Sequence, residues 1–350
     1  MTTPSPTSAA GGLPVAGPVE TVDDHTAGEP FRIVTGGVPE LRGRTVLERR
    51  RWAREHLDGV RHLLIDEPRG HADMYGAYVV PPNDSGADLG VVFFHNEGYS
   101  TACGHGTIAL VTWALESGRI PAREPETTVT VDVPSGRLAC RARVAGGRVE
   151  SVAFTNVPSF VVARTLELDS ARGRVAVDVA YGGAFYGSLD VRSIGLAVDR
   201  ASLPALIALQ RELRPAIDER LAPAHPEEPE LHGVYGIIFW QAEPDARDAG
   251  LVQRNVTVFA DGEVDRSPCG SGTSARLALL DAAGELTRGA VLRHRSIVDT
   301  TFLGRVVDDG PRLGARPTVV TEIEGAAHRT GRHAFELDPA DPLGTGFLLR

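Results

Sequence analysis

Short alternating or apolar runs, separated by turn residues, occupy much of this chain and predict β-strands. These runs are 31–35, 76–80, 90–94, 127–133, 149–154 and 176–180. A turn at 338–342 predicts one more strand at 346–349, close to the C-terminus. Short strands at this spacing are typical of sheets or barrels.

Two longer segments have the periodicity and charge of helices with one solvated face. The first is 45–65, where Thr45 and Glu48 have the spacing of a capping box. The second is 202–221, which ends before a proline-rich stretch at 222–229.

A longer pattern occurs twice: a strand, a polar turn, the pentapeptide Cys-Gly-x-Gly-Thr and an apolar helix. Its two copies are 90–94, 103–107 and 108–115 in the first half, and 255–259, 269–273 and 275–283 in the second. Gly118 and Gly284 each follow the cysteine of their copy by fifteen positions, where a glycine ends a helix well. The repeat predicts two halves of similar structure.

The two repeated helices are apolar on nearly every side, so each must be buried all round. A barrel of short strands around one central helix, formed twice, meets that requirement. At 350 residues the chain suits about two domains. The sequence therefore predicts an α+β fold of two pseudo-symmetric barrel-and-helix domains.

Composition excludes several classes of protein. The net charge is -10, and the one conspicuous basic run, 49–51, is typical of a solvated helix face, so no nucleic-acid partner is expected. The chain contains no lysine, which excludes a pyridoxal phosphate Schiff base and a Walker-type phosphate loop. We expect no cofactor.

The same composition bears on location. Residues 1–18 lack the basic and apolar regions of a secretory signal and predict a disordered tail. No apolar run approaches the 18 or so residues that span a bilayer, so no membrane association is expected. Three scattered cysteines do not form a disulfide framework, which favours the reducing cytoplasm.

Cys103 and Cys269 are predicted to lie where a strand turns into a helix N-terminus. Unpaired N–H groups and the positive end of the helix dipole meet there, so we expect the pKa of both thiols to be lowered from about 8.5 toward neutrality. The glycines that follow allow a ligand to approach the backbone, whose free N–H groups form a carboxylate site.

Two such thiols facing one ligand suit inversion at a carbon that bears hydrogen. One group removes the proton from one face while the other delivers a proton to the opposite face. Helix N-termini that donate to the substrate carboxylate would stabilise the carbanion-like state. Cys140, in a strand-like run at 138–144, has the pattern of a core residue and receives no role.

Other interpretations fit less well. His25, His71, His95 and His105 form no ligand set of the usual spacing, so no metal is expected. The two repeated cysteines lack the two-residue spacing of a redox pair. A binding module that takes amino acids without reaction would need only the amides and not both thiols.

These residues resemble the proline racemase family, which includes hydroxyproline 2-epimerases and trans-3-hydroxy-L-proline dehydratases. The resemblance covers about residues 22–350. Its motifs are Asp24-His-Thr-Ala-Gly-Glu-Pro, Glu67-Pro-Arg-Gly-His-Ala-Asp-Met-Tyr-Gly, Cys103-Gly-His-Gly, Asn156-Val-Pro-Ser-Phe, Gly182-Gly-Ala-Phe-Tyr and Asp265-Arg-Ser-Pro-Cys-Gly-Ser-Gly-Thr. The last of these is highly specific.

The resemblance implies a diaminopimelate-epimerase-like fold and a homodimer that acts on free proline or hydroxyproline. It also implies that Cys103 and Cys269 are the catalytic acid and base. The groups implied to bind substrate are the backbone amides of Gly104, His105, Gly270 and Ser271, for the carboxylate, and Asp265 with His105, near the amine.

We place the domain boundaries as follows: a tail at 1–20, a first domain at 21–152 that is completed by 328–350, and a second domain at 153–327. Asp265 has a simpler interpretation as a turn residue, and only the family resemblance makes it a ligand contact.

The resemblance points to two branches of the family. The segment 95–101, just before Cys103, is similar to the dehydratase branch, where the second cysteine is typically threonine. Cys269 is instead typical of racemases and epimerases, since inversion requires a second thiol. We favour two-base racemisation or epimerisation at C2, with dehydration of trans-3-hydroxy-L-proline as the alternative.

Overall fold

The structure, a computed structural model, describes residues 13–15, 17–243 and 250–349. Its helices are α1 (Val46–His56), α2 (Asp58–Ile65), α3 (Gly104–Glu116), α4 (Leu203–Leu221) and α5 (Gly270–Ala283). The strands of the first half are β1 (Val19–Thr26), β2 (Glu29–Gly36), β3 (Tyr75–Val80), β4 (Leu89–His95), β5 (Glu126–Val133), β6 (Gly136–Ala145) and β7 (Arg148–Thr155). Those that follow are β8 (Phe160–Ser170), β9 (Gly173–Tyr181), β10 (Phe185–Asp190), β11 (Val234–Ala242), β12 (Leu251–Phe259), β13 (Glu263–Asp265), β14 (Leu292–Ser296), β15 (Thr301–Asp309), β16 (Val319–Gly325) and β17 (Ala327–Phe335).

The six strands predicted from alternating runs are all present, as β2, β3, β4, β5, β7 and β9. The helix predicted at 202–221 is α4. The helix predicted at 45–65 is divided at Leu57 into α1 and α2, and it begins as expected, because the Thr45 hydroxyl accepts a hydrogen bond from the N–H of Glu48.

The order and direction of strand pairing repeat along the chain. In the series β17-β1-β2-β3-β4-β5-β6-β7 the successive pairs are antiparallel, antiparallel, parallel, antiparallel, parallel, antiparallel and antiparallel. The series β8-β9-β10-β11-β12-β14-β15-β16 has the same sequence of directions. An antiparallel pair, β7 with β16, joins the two series.

Each series surrounds one of the two apolar helices. Strands β1, β2, β7 and β17 contact α3, whereas β8, β9, β15 and β16 contact α5. Every residue of α3 from Gly104 to Leu115 is buried, as is every residue of α5 from Gly270 to Leu280. Burial on all sides explains why these helices carry so few charges.

Strand β17 supplies the last strand of the first series, as its pairing with β1 shows. Strand β7 runs across position 152, so we propose that the boundary between the two domains follows Thr155. The other predicted boundaries, at 20 and 327, stay predictions. The tail predicted to be disordered lies mostly outside the described residues.

The strand predicted at 346–349 is wrong. Only Phe347 pairs, in a single bridge with Glu67, whose backbone N–H and C=O both bond to it. The residue after Glu67 is Pro68, which has no N–H with which to extend the pairing. Gly344 and Gly346 also have positive φ angles, which are incompatible with a regular strand.

Among the described residues, no helix is both long enough and apolar enough to cross a membrane.

Candidate active site

The N-termini of α3 and α5 abut at two glycines. A Cβ atom added to Gly104 would lie 2.5 Å from the Cα of Gly270, and one added to Gly270 would lie 2.7 Å from the Cα of Gly104. The same added Cβ atoms would lie 3.0 and 3.1 Å from Cζ of Phe154, so the ring of Phe154 also leaves no room for a side chain at either position. Only glycine at both positions allows the two helices to meet this closely.

This contact brings the residues before and after the two glycines to one small cavity at the junction of the two helices. All seven residues predicted from the sequence as catalytic or substrate-binding line it: Cys103, Gly104, His105, Asp265, Cys269, Gly270 and Ser271. Larger cavities lie nearer the surface, but they contain neither cysteine. The reactive groups of both halves therefore face the same space.

Cys103 precedes α3 in an extended conformation. Its sulfur accepts a hydrogen bond from the N–H of Gly106 at 3.2 Å, and it lies 3.5 Å from Nε2 of His105. Thr107 on the next turn donates its hydroxyl to the Cys103 carbonyl at 2.9 Å. The first sulfur is thus held directly at a helix N-terminus.

Cys269 has a different backbone, with φ +62° and ψ 102°, a region that a residue with a side chain rarely occupies. The Ser267 hydroxyl accepts from its N–H at 3.1 Å and supports this conformation. The Cys269 thiol lies 3.8 Å from the Tyr186 hydroxyl, which is itself 2.7 Å from the Ser271 hydroxyl. The two sulfurs therefore have unlike surroundings despite the repeat.

The prediction of lowered thiol pKa values is wrong. Burial raises the pKa of Cys103 well above its usual value and that of Cys269 to about 12. The N–H of Gly106 acts in the opposite direction on Cys103 but is outweighed, and the carboxylate of Asp265 adds to the rise at both thiols. At neutral pH both groups are predominantly thiols.

Asp265 is buried, and its carboxylate accepts from the N–H of Ser267 at 2.8 Å. Burial raises the pKa of Asp265 to about 6. Two more buried carboxylates, Glu29 and Asp73, lie behind it, and Arg266 is 3.3 Å and 3.4 Å from them. Oε2 of Glu29 also accepts from the backbone N–H of Arg266 at 2.7 Å, which fixes the loop between Asp265 and Cys269.

His105 is the counterpart of Ser271 in the repeat. Burial lowers the pKa of the His105 imidazole to about 3, so the ring is neutral at physiological pH. Its Nδ1 lies 4.0 Å from Asp265, and the rings of Phe31 and Tyr75 contact it edge to face. A neutral ring beside a sulfur can accept or donate one hydrogen bond without a change of charge.

Sequence reasoning missed the aromatic wall of the cavity, which consists of Tyr75, Tyr186, Tyr235 and Phe259. Tyr75 and Tyr186 belong to the motifs that begin at Glu67 and Gly182, and this membership could have identified them as candidate site residues. Tyr235 lies in β11 and outside those motifs, and the available signal was that Tyr235-Gly236 repeats Tyr75-Gly76. Its position beside the cavity follows from tertiary packing alone.

The remaining candidates lie apart from the sulfurs. Cys140 is fully buried in β6 and does not line the cavity. His95 packs against Tyr75 and lies 3.1 Å from Glu263. His25 and His71 line a wide surface cavity instead. Within the described part of the chain, no group of three histidine, cysteine or acidic side chains has the arrangement of a metal site.

Comparisons with known proteins agree with this geometry. The family model described as proline racemase matches residues 21–348. A trans-3-hydroxy-L-proline dehydratase of Bacillus cereus is 45% identical over 94% of this chain and 97% of its own length. A 3-hydroxyproline 2-epimerase of Burkholderia multivorans is 45% identical over 95% of this chain and 98% of its own.

Solved structures give the same result. A hydroxyproline epimerase from Agrobacterium vitis, with bound trans-4-hydroxy-L-proline, superposes with a TM-score of 0.88 at 33% identity, over 95% of this chain and 96% of the other. The predicted α+β, diaminopimelate-epimerase-like fold is confirmed.

Proposed function

This chain belongs to the proline racemase family of PLP-independent enzymes, and we propose that it inverts C2 of free proline or hydroxyproline with Cys103 and Cys269 as acid and base. The observation that carries the proposal is the single cavity lined by both cysteines, each at the start of one of two abutting helices. A protein that only bound an amino acid would need one helix N-terminus and no opposed pair of thiols.

In the proposed reaction one sulfur, as thiolate, takes the proton from Cα, and the electron pair of the C–H bond moves onto the carbon and carboxylate. The other sulfur, as thiol, then delivers its proton to the opposite face, so the two exchange protonation states. The amides of Gly104, His105, Gly270 and Ser271 are the proposed carboxylate site, where fixed N–H donors stabilise the extra charge. Asp265 is the proposed partner of the substrate amine.

The test is incubation with L-proline, trans-4-hydroxy-L-proline and trans-3-hydroxy-L-proline in deuterated water, followed by proton NMR. We expect the Cα signal of at least one substrate to disappear while its C2 epimer accumulates, because the proton delivered by the second thiol comes from solvent. The control is the same panel with protein treated with iodoacetamide, which alkylates the thiols. A panel that stays unchanged would leave only the amino-acid-binding interpretation.

A second candidate is dehydration of trans-3-hydroxy-L-proline. It is favoured by the 45% identity to a dehydratase and by the position of segment 95–101, whose Ser100 bonds to Tyr75 at the cavity. Here the Cα–H and C3–O bonds break, C2=C3 forms, and the hydroxyl leaves as water. The same spectra would then contain a pyrroline product from the 3-hydroxy substrate alone.

The raised thiol pKa values predict a pH dependence. The base works only after it loses its proton, so the fraction of active enzyme, and with it kcat/KM, should rise by up to about tenfold per pH unit through the neutral range. In Asp265→Asn the carboxylate charge that raises both thiol pKa values is absent. The whole profile of kcat/KM against pH should therefore shift to lower pH.

Profiles of kcat/KM between about pH 5.5 and 9.5 would test this, with Asp338→Asn, which alters an exposed carboxylate, as control. A profile in Asp265→Asn that is unmoved, or moved to higher pH, would contradict the assignment of the thiols as the titrating groups.

We also propose that the enzyme is a homodimer of the cytoplasm, as the family resemblance implies. The number and spacing of the three cysteines support the reducing location, since they do not suit a disulfide framework. Sedimentation and cell fractionation would test the two proposals separately.

A further inference from the structure

Two of the tyrosines at the cavity are equivalent members of the repeat. Tyr75 begins β3 and Tyr235 lies at the start of β11, and these strands have the same place in the two pairing series. Each tyrosine precedes a glycine that pairs with a phenylalanine, Gly76 with Phe94 and Gly236 with Phe259. One hydroxyl from each half is thereby brought to the junction between the halves.

The hydroxyls there form a chain whose direction can be assigned. Tyr75 donates to the Ser100 hydroxyl, and Ser100 donates to the carbonyl of Ala102 at 3.3 Å. The hydroxyls of Tyr75 and Tyr235 are 2.9 Å apart. A tyrosine hydroxyl has one proton, and Tyr75 donates its own to Ser100. Tyr235 is therefore the donor in the hydrogen bond between the two tyrosines.

Because its proton is donated to Tyr75, the hydroxyl oxygen of Tyr235 can only accept a hydrogen bond from any further group. Among the described residues, no donor bonds to it, so its lone pairs are available to a group inside the cavity. Tyr235 is held firmly, since its ring stacks on Phe259 at 5.2 Å and meets Tyr186 edge to face at 5.8 Å. A rigid acceptor beside the ring of a bound substrate can distinguish a ring that carries a hydroxyl from one that does not.

We propose that Tyr235 determines specificity for a hydroxylated ring, so that the substrate is a hydroxyproline in preference to proline; this inference rests on the proposed function. The ring hydroxyl donates to the Tyr235 oxygen. The ring of proline has only C–H groups there, so it displaces water from this oxygen without replacing the hydrogen bond. Tyr235 touches the ring and not the reacting carbon, so it acts on preference and leaves the chemistry to the sulfurs.

The test compares kcat/KM for proline, trans-3-hydroxy-L-proline and trans-4-hydroxy-L-proline in the wild-type enzyme and in Tyr235→Phe, with loss of the Cα proton in deuterated water as the readout. We expect the ratio of kcat/KM for the better hydroxyproline to that for proline to fall by about tenfold or more in the variant, because only the hydroxyproline loses a hydrogen bond. The matched control is Tyr181→Phe, which removes a buried hydroxyl that lies outside the cavity and has no hydrogen-bond partner among the described residues. It should leave the ratio as it is.

Binding of pyrrole-2-carboxylate, a planar mimic without a ring hydroxyl, shows that each variant is folded. If Tyr235→Phe does not fold, Tyr75→Phe serves in its place, because loss of the Tyr75 acceptor reorients the Tyr235 hydroxyl and should change the same ratio. An equal fall for all substrates, an unchanged ratio, or a wild-type preference for proline would overturn the inference while the proposed function stands. Absence of Cα exchange with every substrate would overturn both.

Discussion

Replacement of Cys269 by serine is expected to lower the rate of C2 inversion by about a hundredfold to ten-thousandfold, the usual contribution of a general acid or base. A serine hydroxyl is far less acidic than a thiol, so it can neither deliver a proton nor hold the negative charge left afterwards. The cavity keeps its shape, because oxygen is smaller than sulfur and the amides of Gly270 and Ser271 are unaltered. Binding of pyrrole-2-carboxylate should therefore persist.

The measurement is the rate of epimer formation by optical rotation or chiral chromatography, with binding followed by calorimetry. Cys140→Ala is the matched control, since it removes a buried thiol that does not line the cavity. If Cys269→Ser also still converts trans-3-hydroxy-L-proline to a pyrroline, elimination uses Cys103 alone. Normal inversion in Cys269→Ser would refute the two-thiol scheme.

Gly104→Ala and Gly270→Ala are expected to impair the enzyme although neither alters a reactive group. The added methyl would lie 2.5 or 2.7 Å from a backbone atom of the opposite helix, so the helices must separate. Overpacking of this kind costs about 1–3 kcal/mol of unfolding free energy. A displacement of the sulfurs by about 1 Å would in addition lower kcat about a hundredfold.

Denaturant unfolding and steady-state kinetics would measure the two effects. Gly17→Ala is the control, because a Cβ at Gly17 would meet no atom of the residues that the structure describes within 4 Å. Wild-type stability together with wild-type kcat in Gly104→Ala would show that the close approach of the helices is not required.

The architecture could be predicted from the sequence because the sequence features that determine it are local and occur twice. Two apolar helices that each follow Cys-Gly-x-Gly-Thr require an enclosing sheet, and that requirement is independent of how the strands are ordered. Gly118 and Gly284 have positive φ angles at the helix ends, as their spacing from the cysteines predicts.

The sequence was insufficient wherever long-range packing decides the outcome. The expected thiol pKa values considered only the helix N-terminus, whereas burial between two domains outweighs that effect. Tyr235 was missed for a related reason, because its partner Tyr75 is 160 residues away. A donor–acceptor chain of this kind has no periodicity or spacing by which it can be found.

The closing of the first barrel by β17 has a consequence for biosynthesis. On the ribosome, the edge of β1 has no neighbour until β17 emerges, whereas β8–β16 form one uninterrupted stretch. The second barrel can assemble during translation, but the first must wait with an open strand edge, a state prone to mispairing. Fragments that stop short of β17 should accordingly aggregate in cells, even though they contain both cysteines.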